Sequence, residues 1–526
     1  MPYAPPPKGR GARAGRVPVA IVGAGPVGLS AAIDLALKGV ASVVVDDDDR
    51  VSPGSRAFTW ARRTIDIFDR LGVGEAIRAK GVTWRTERVF HGARTLAVID
   101  HAPDAGVAAP AFLNLQQYHV EEILLARCAD FPDLIDLRFR HRVTAAEQDA
   151  AGVTLDVYTE DGRYRLAADW LLACDGARSS VRGMMDLAFE GEAFEDRFLI
   201  ADIRSPAPFP DERWFWFAPT FHPGQTAMLH RQPDGMVRLD LQLGPDADPE
   251  RERLPERVAP RVEAALGGRP FDLDWVSVYA FSARRLAQFV HGRIVFAGDS
   301  AHVIPPFGSR GANAGVQDVD NLCWKLALVI GGAAGPELLA SYDAERGRAA
   351  DDNLRRAGRS ARFMGPRTPA ERLFRDEVLA LAVDHAFAQR LIDPGRMSTP
   401  CALDGLSLQS ADDPAMAGPM GPGAPCLDAP VTDPDGRPGW LLPRLGGRFT
   451  LLGVGVEPPA VEGAARLTVG EGGLGDPAGL VAARYPRGVY IIRPDQHVAA
   501  RWAAPAPRAA AHALARARGA IAEVGP

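Results

Sequence analysis

"VPVAIVGAGPVGLSAAIDLALKGVASVVVDDDD", Val17–Asp49, decides the architecture. Val19–Val22 is apolar and β-rich, which predicts a strand. Gly23, Gly25 and Gly28 then form GxGxxG. Apolar residues at helical spacing run to Leu37, Gly39 ends the helix, and a second strand, Val43–Val45, closes on Asp46. Gly23 permits a tight turn, Gly25 lets the backbone approach a pyrophosphate, and Gly28 lets helix and strand pack closely. The helix N-terminus offers unpaired N–H groups and a positive dipole end to that anion. Asp46 stands where an acid meets a ribose hydroxyl. An acid there disfavours a 2′-phosphate, so the site takes FAD or NAD rather than NADP. Asp47, Asp48 and Asp49 read as a solvated loop.

The rest of the chain fits a large globular enzyme. Its 526 residues predict two or three domains. Apolar residues make up 47% and charged ones 24%, an ordinary globular balance. A net charge of -6 argues against a nucleic-acid partner. The five cysteines form no CxxC, so neither a dithiol centre nor a Cys-rich metal site is expected, and a reducing, cytoplasmic setting fits. Residues 1–16, rich in Pro, Gly and Arg, lack the apolar core of a signal peptide and predict a disordered tail. No apolar run is long enough to span a bilayer.

Two further segments repeat the strand-then-glycine logic. In "DWLLACDGARSSVR", Asp169–Arg182, a strand over Leu171–Cys174 ends at Asp175-Gly176. In "GRIVFAGDSAHVIPPFGSRGANAG", ending at Gly315, the strand Ile294–Ala297 ends at Gly298-Asp299. Acids beside glycine turns at strand ends are how an α/β sheet grips a ligand at its carboxyl edge.

The three motifs in this order resemble the FAD-dependent aromatic hydroxylases of the para-hydroxybenzoate hydroxylase superfamily. The likeness covers roughly residues 17–360 and leans to the branch of phenol and 3-(3-hydroxyphenyl)propionate hydroxylases. It rests on Gly298, Asp299, Ala301, His302, Pro305, Pro306, Gly308, Gly311, Asn313 and Gly315, and continues through Asp318, Asn321, Leu322, Trp324, Lys325 and Leu326. It implies that Asp299 bonds a ribityl hydroxyl of FAD and that Pro305 and Pro306 set a rigid turn beside the isoalloxazine. Gly311, Ala312 and Asn313 would begin a helix facing the flavin's N1–C2=O edge, where a helix N-terminus stabilises negative charge. Arg56 and Gln117 match FAD contacts, and Asp175 matches the acid that supports the pyrophosphate loop. Trp324 and Lys325 read as structural.

The likeness also implies a Rossmann-like FAD-binding domain over 17–184 and 286–396, with an antiparallel substrate sheet inserted over 185–285. "RWFWFAP", "TAMLHRQ" and "VRLDLQL" alternate as strands of that sheet. Trp214, Trp216, His222, His230 and Tyr279 are its pocket candidates. Residues 397–425 read as a Pro/Gly-rich linker, and 426–526 resemble the branch's thioredoxin-like tail without its redox CxxC. The branch places an Asp base where this chain has Phe58, so Tyr279 becomes the candidate to hold the substrate hydroxyl. With Pro306 it makes up the candidate catalytic set. Ala312 replaces a usual Met, and Ser309-Arg310 a usual Gly-Gln. Arg310 faces flavin or an anionic substrate, or is solvated.

The implied reaction is monooxygenation of a small, electron-rich aromatic. NADH or NADPH reduces FAD, O2 adds at C4a, and the hydroperoxide transfers OH. No second GxGxxG is visible, so nicotinamide is expected to bind transiently at the flavin. A homodimer is the expected assembly. An FAD-dependent dehydrogenase or epoxidase of the same fold, or a non-catalytic flavin-binding protein, is the alternative.

Overall fold

In the computed structural model the described residues are 16–520 without 53–56, 102–105, 207–208, 245 and 393–396, and without the side chains of 195 and 196. All of the expected N-terminal tail but Arg16, and also Arg56, lie outside them.

The N-terminal reading places a parallel sheet at the centre. Its five parallel strands run in the order Ile294–Phe296, Gly162–Ala173, Val17–Val22, Ser42–Asp46, Ile135–Phe139, and Val290–His291, Val153–Thr159 and Arg142–Gln148 join the same sheet antiparallel. Val19, Ala20, Ile21, Val44, Val45, Leu171 and Leu172 are almost wholly buried. Such near-continuous apolar strands belong inside a sheet covered on both faces. Pro26–Leu37 is the first crossover helix, with Gly25 at its N-cap and Pro26 at the position where a missing N–H costs nothing.

A second, eight-stranded sheet carries the strands His302–Val303, Asp272–Arg285, Glu190–Arg204, Met236–Leu243, Thr226–Arg231, Glu212–Phe217, Thr86–His91 and Arg94–Asp100 in that order. The last two lie far outside the expected 185–285 insert. Thr86–His91 joins in parallel to Glu212–Phe217, so the sheet is assembled from separate stretches of chain. The helix Pro255–Ala265 covers one face, where Val258 and Val262 pack against Leu199, Leu229, Leu239 and Leu241. The opposite face packs Phe198, Phe215 and Phe217 against Phe307 and Met364.

The segment 397–425 has neither helix nor strand, but it is a packed strap rather than a free spacer. Leu403, Leu408 and Met420 are buried, Ser398 donates its N–H to Gly308, and Arg501 reaches back to Asp412 at 2.7 Å. Its prolines and glycines forbid a ladder, while its scattered apolar side chains still pay for docking. The C-terminal sheet runs Ala465–Val469, Thr450–Val454, Gly488–Ile492, Val498–Trp502, with only the first pair parallel. It is welded to the first domain by a buried charge cluster. Glu345 meets Lys325 at 2.7 Å and Arg493 at 2.6 Å, Arg493 meets Asp495 at 2.6 Å, and all four side chains are almost fully buried. Trp324 packs edge-on against Phe449 at 5.4 Å. Trp324 and Lys325 thus hold domains together, as their structural reading expects.

Candidate functional site

The three glycine motifs converge on one edge. Gly23 donates its N–H to Val45 (2.9 Å), Cys174 to Val22 (2.8 Å) and Ala297 to Ala173 (3.1 Å), which places all three turns at the carboxyl ends of adjacent strands. Gly23 has φ +106, and a Cβ there would lie 2.4 Å from the Cys174 carbonyl oxygen. A Cβ on Gly28 would lie 1.9 Å from the Gly23 oxygen, whereas one on Gly25 would meet nothing within 4 Å. Two glycines therefore serve packing, and the middle one leaves open space at the N-terminus of the Pro26 helix. That cradle fits a pyrophosphate.

Around it stand the acids. Asp46 accepts the N–H groups of Ala24 and Asp48, and burial pushes its carboxyl up to about 6 against the pull of those two bonds. Asp175 accepts from Ser180 Oγ and the Val181 N–H, both at 3.1 Å, and its other carboxylate oxygen is buried without a hydrogen-bond partner. Asp299 is exposed between buried Gly298 and Ser300, close to the first turn of the helix Gly311–Ile330. Below it, Asp318 fixes the turn by accepting from the Gly298 N–H (2.9 Å), His302 Nε2 (2.6 Å) and Arg346 Nε (2.6 Å). Arg182 ties the second motif to the third, bonding the carbonyls of Ala177 and Ser300.

Gln117 opens the helix Gln117–Cys128, accepts the Ala57 N–H at 3.2 Å and donates to Glu121 at 2.8 Å. It fastens the segment that leads to Phe58. Asn313 does the same at the Gly311 helix: its side chain accepts from the Ala61 N–H and donates to the carbonyls of Thr59 and Ser309. Pro306 and Phe307 sit on the loop before that helix, and Phe307 meets Phe198 of the second sheet at 5.6 Å. Ala312 is half-buried in the helix's first turn. Arg310 is not the solvated loop residue that was one of its expected places. It is 1% exposed and bonds Asn353 at 3.1 Å, turned into the Leu339–Met364 helix. Ser309 holds φ +52, a conformation that costs any residue with a Cβ. Ser309→Gly should therefore stabilise the protein by about 0.5–1 kcal/mol, read as a raised melting temperature of the FAD-loaded protein.

Strand register sorts the pocket candidates. Arg213 pairs with His230, His230 with Arg238, and Arg238 with Asp202, so these share one face of the sheet. Two residues along, Ile200, Asp240, Met228 and Phe215 share it too, and Phe198 and Tyr279 form the next pair. This is the face that meets Phe307. Tyr279, half-buried, and His230, fully buried, are thus turned toward the first domain. Trp214 and Trp216 pair with Leu229 and Ala227 and join the core beneath the Pro255 helix, so neither lies on the face that meets Phe307. His222 is buried with its ring on the Gln242 carbonyl, in the field of Arg261 of that helix. Arg213 and Arg238 are not among the sequence-predicted site residues; Arg238 and Asp240, two residues apart in "VRLDLQL", were the available signal.

Phe58 itself touches this face, with its ring 4.8 Å from His230 and beneath the Arg238 guanidinium at 4.5 Å. The wall of the second sheet, the Phe58 segment and the Gly311 helix therefore meet at one place.

Such a glycine cradle, with acids on three strand ends and an opposed sheet, defines an FAD-binding oxidoreductase. A family model described as "FAD binding domain" matches residues 16–357. The chain is 29% identical over 512 residues to the 12-dehydrotetracycline 5-monooxygenase/anhydrotetracycline 6-monooxygenase of Streptomyces rimosus, covering 92% of this chain and 95% of that protein. It is 32% identical over 342 residues to the para-nitrophenol 4-monooxygenase of Pseudomonas sp. strain WBC-3, covering 62% and 82%. Among solved structures, aklavinone-11 hydroxylase with FAD and aklavinone superposes with a TM-score of 0.77 at 25% identity, over 96% of this chain and 99% of that one. PieE in complex with FAD and substrate gives 0.80 at 25% identity, again over 96% and 99%. The chain belongs to the FAD-binding domain family, and it is an FAD-dependent monooxygenase. Among the described residues no helix is long and apolar enough to cross a membrane.

Proposed function

We propose that the enzyme hydroxylates a phenolic, fused-ring aromatic with O2 and NADH or NADPH. The observation that carries this reading is the extent of its likeness. Tetracycline- and aklavinone-type hydroxylases match along nearly the whole chain, C-terminal sheet included, whereas the nitrophenol enzyme matches 62% of it. Bound FAD, once reduced, supplies the activation of O2. The chain binds the cofactor through the Gly25 cradle with Asp46, Asp175, Gln117 and Asp299. The N-terminus of the Gly311 helix, with Ala312 and Asn313, offers positive potential to a negatively charged flavin edge. Pro306 shapes the turn beside it, and the second sheet shuts out water on the substrate side. Tyr279 holds the substrate hydroxyl.

The test is a screen of NAD(P)H oxidation by the yellow holoenzyme. Tri- and tetracyclic phenols such as anhydrotetracycline and aklavinone should stimulate it more than 4-nitrophenol does. Equal stimulation by all of them, or greatest stimulation by 4-nitrophenol, would remove the fused-ring reading. Asp299→Ala should lose one charge-assisted bond to FAD, about 1.5–3 kcal/mol. Its FAD content after extensive dialysis should accordingly fall well below that of the wild type.

The C-terminal module supports a thioredoxin-like reading. Its order places Thr450–Val454 between a parallel and an antiparallel neighbour, and Cys426, its one cysteine, is buried. Unpaired cysteines at all five positions support a reducing cytoplasmic setting. A homodimer is supported by Leu373, Phe374, Leu381, Phe387 and Leu391, exposed together on and just beyond the helices Pro369–Leu381 and Ala386–Gln389.

A further inference from the structure

The C-terminal sheet carries a hairpin loop that is shut away from water. "RPDQH", Arg493–His497, joins the strands Gly488–Ile492 and Val498–Trp502. Connecting loops normally run over the surface. Here Arg493, Asp495 and Gln496 are at most 1% exposed. Gln496 also holds φ +52, and a residue with a Cβ keeps that conformation only where its surroundings over-determine it. The loop is closed by its own backbone: Gln496 donates its N–H to Arg493, and Arg493 donates to His497, both at 2.9 Å.

Two arms lead from this loop to the FAD site. In the first, Arg493 forks onto Glu345 at 2.6 and 2.8 Å, and Asp495 accepts from Asn321 at 3.0 Å. Arg346, next to Glu345, bonds Asp318, which precedes Asn321 on the helix Gly311–Ile330 and holds the Gly298 N–H. In the second, Arg63 donates to the Gln496 side chain at 2.9 Å and to the Asp495 carbonyl. Arg63 follows Thr59 and Ala61, which the Asn313 side chain clamps at 2.9 Å each. The loop therefore grips the Gly311 helix and its neighbours by charge-assisted bonds out of water, where such bonds fix geometry most strongly. One buried side chain beyond each arm stand the Gly298 turn and Asn313.

We infer that this hairpin loop is a positioning element for FAD: Arg493, Asp495 and Gln496 fix the Gly311 helix, and with it the Gly298 turn and Asn313, so that the C-terminal module raises the affinity of the chain for its cofactor. None of the three touches FAD. They act by keeping the cofactor site in its competent arrangement; a chain that holds that arrangement only part of the time binds FAD more weakly in the same proportion. The role needs no redox cysteine, and it goes beyond the hydroxylation reading because it holds whatever the aromatic substrate.

The experiment strips FAD from full-length protein and rebinds it in equilibrium dialysis, well below the melting temperature of each variant. Arg493→Met and Gln496→Gly should each raise the Kd for FAD at least about fivefold. Gln496→Gly removes the Arg63 arm while relieving the backbone at that position, so it folds even where Arg493→Met does not. Arg493→Lys, which keeps the charge but not the fork, should recover part of the affinity. Leu452→Ala opens the core of the same module, away from the loop. It should lower the melting temperature and leave the Kd within about twofold of wild type. Asp318→Asn should weaken FAD binding too, and Arg493→Met should add less on top of it than it costs alone. Wild-type Kd in both Arg493→Met and Gln496→Gly overturns the assignment. So does a Leu452→Ala variant that loses FAD as readily as they do, or full additivity with Asp318→Asn.

Discussion

Tyr279→Phe should slow hydroxylation by about ten- to a thousandfold while leaving FAD binding intact, the range expected for losing one polar or acid–base contact at the reacting group. Tyr279 lies on the side of Asp272–Arg285 that faces the Pro306 turn, paired with Phe198, which itself packs on Phe307. The substitution keeps the ring and removes only an oxygen, so packing is unchanged. Without that hydroxyl the substrate oxygen is less well held. A larger share of NAD(P)H should then be lost as hydrogen peroxide. Stopped-flow rates and the ratio of product to NAD(P)H consumed measure both effects. Wild-type rate and coupling in the variant would leave Tyr279 a packing residue and shift the role to His230.

Glu345→Gln should destabilise the protein by about 3–5 kcal/mol, because it leaves buried Lys325 without a carboxylate partner, while Arg493 keeps Asp495 at 2.6 Å. Glu345 accepts from Lys325, Arg493 and Asn321 with no solvent exposure. It sits where the Gly311 helix meets the C-terminal sheet. Burial lowers Lys325 to about 8 even with Glu345 beside it, so removing the carboxylate discourages its charge further. The apparent melting temperature should fall by roughly 3–5 °C. Lys325→Met should cost clearly less, because Arg493 still neutralises Glu345 at 2.6 Å. Equal losses in the two variants would mean that packing, not charge, joins the domains.

What could be read from the sequence follows from how local each feature is. The Gly23 turn, the Pro26 helix and Asp46 lie within one βαβ stretch, where periodicity and glycine placement suffice. The two later motifs announce themselves by the same strand-then-glycine pattern. The face of the second sheet did not announce itself. Trp214 and Trp216 are the right residue type for a pocket, yet alternation alone fixes only that they share a side with each other. Pairing with Leu229 and Ala227, under the Pro255 helix, decides which side. Strand Thr86–His91 could not be assigned to that sheet because its partner, Glu212–Phe217, comes over a hundred residues later. Arg310 looked like a loop residue because Asn353, its partner, is remote in sequence. Arg213 and Arg238 were overlooked because their common row exists only through register across four strands.

The central claim is that this chain, with FAD bound, transfers one atom of O2 to an aromatic ring. Turnover under 18O2 with NAD(P)H and a fused-ring phenol, followed by mass spectrometry of the product, measures that step itself. The account predicts one labelled oxygen in the hydroxylated product and NAD(P)H oxidation that rises when the aromatic is added. Product without label, or NAD(P)H oxidation indifferent to the aromatic, would contradict it.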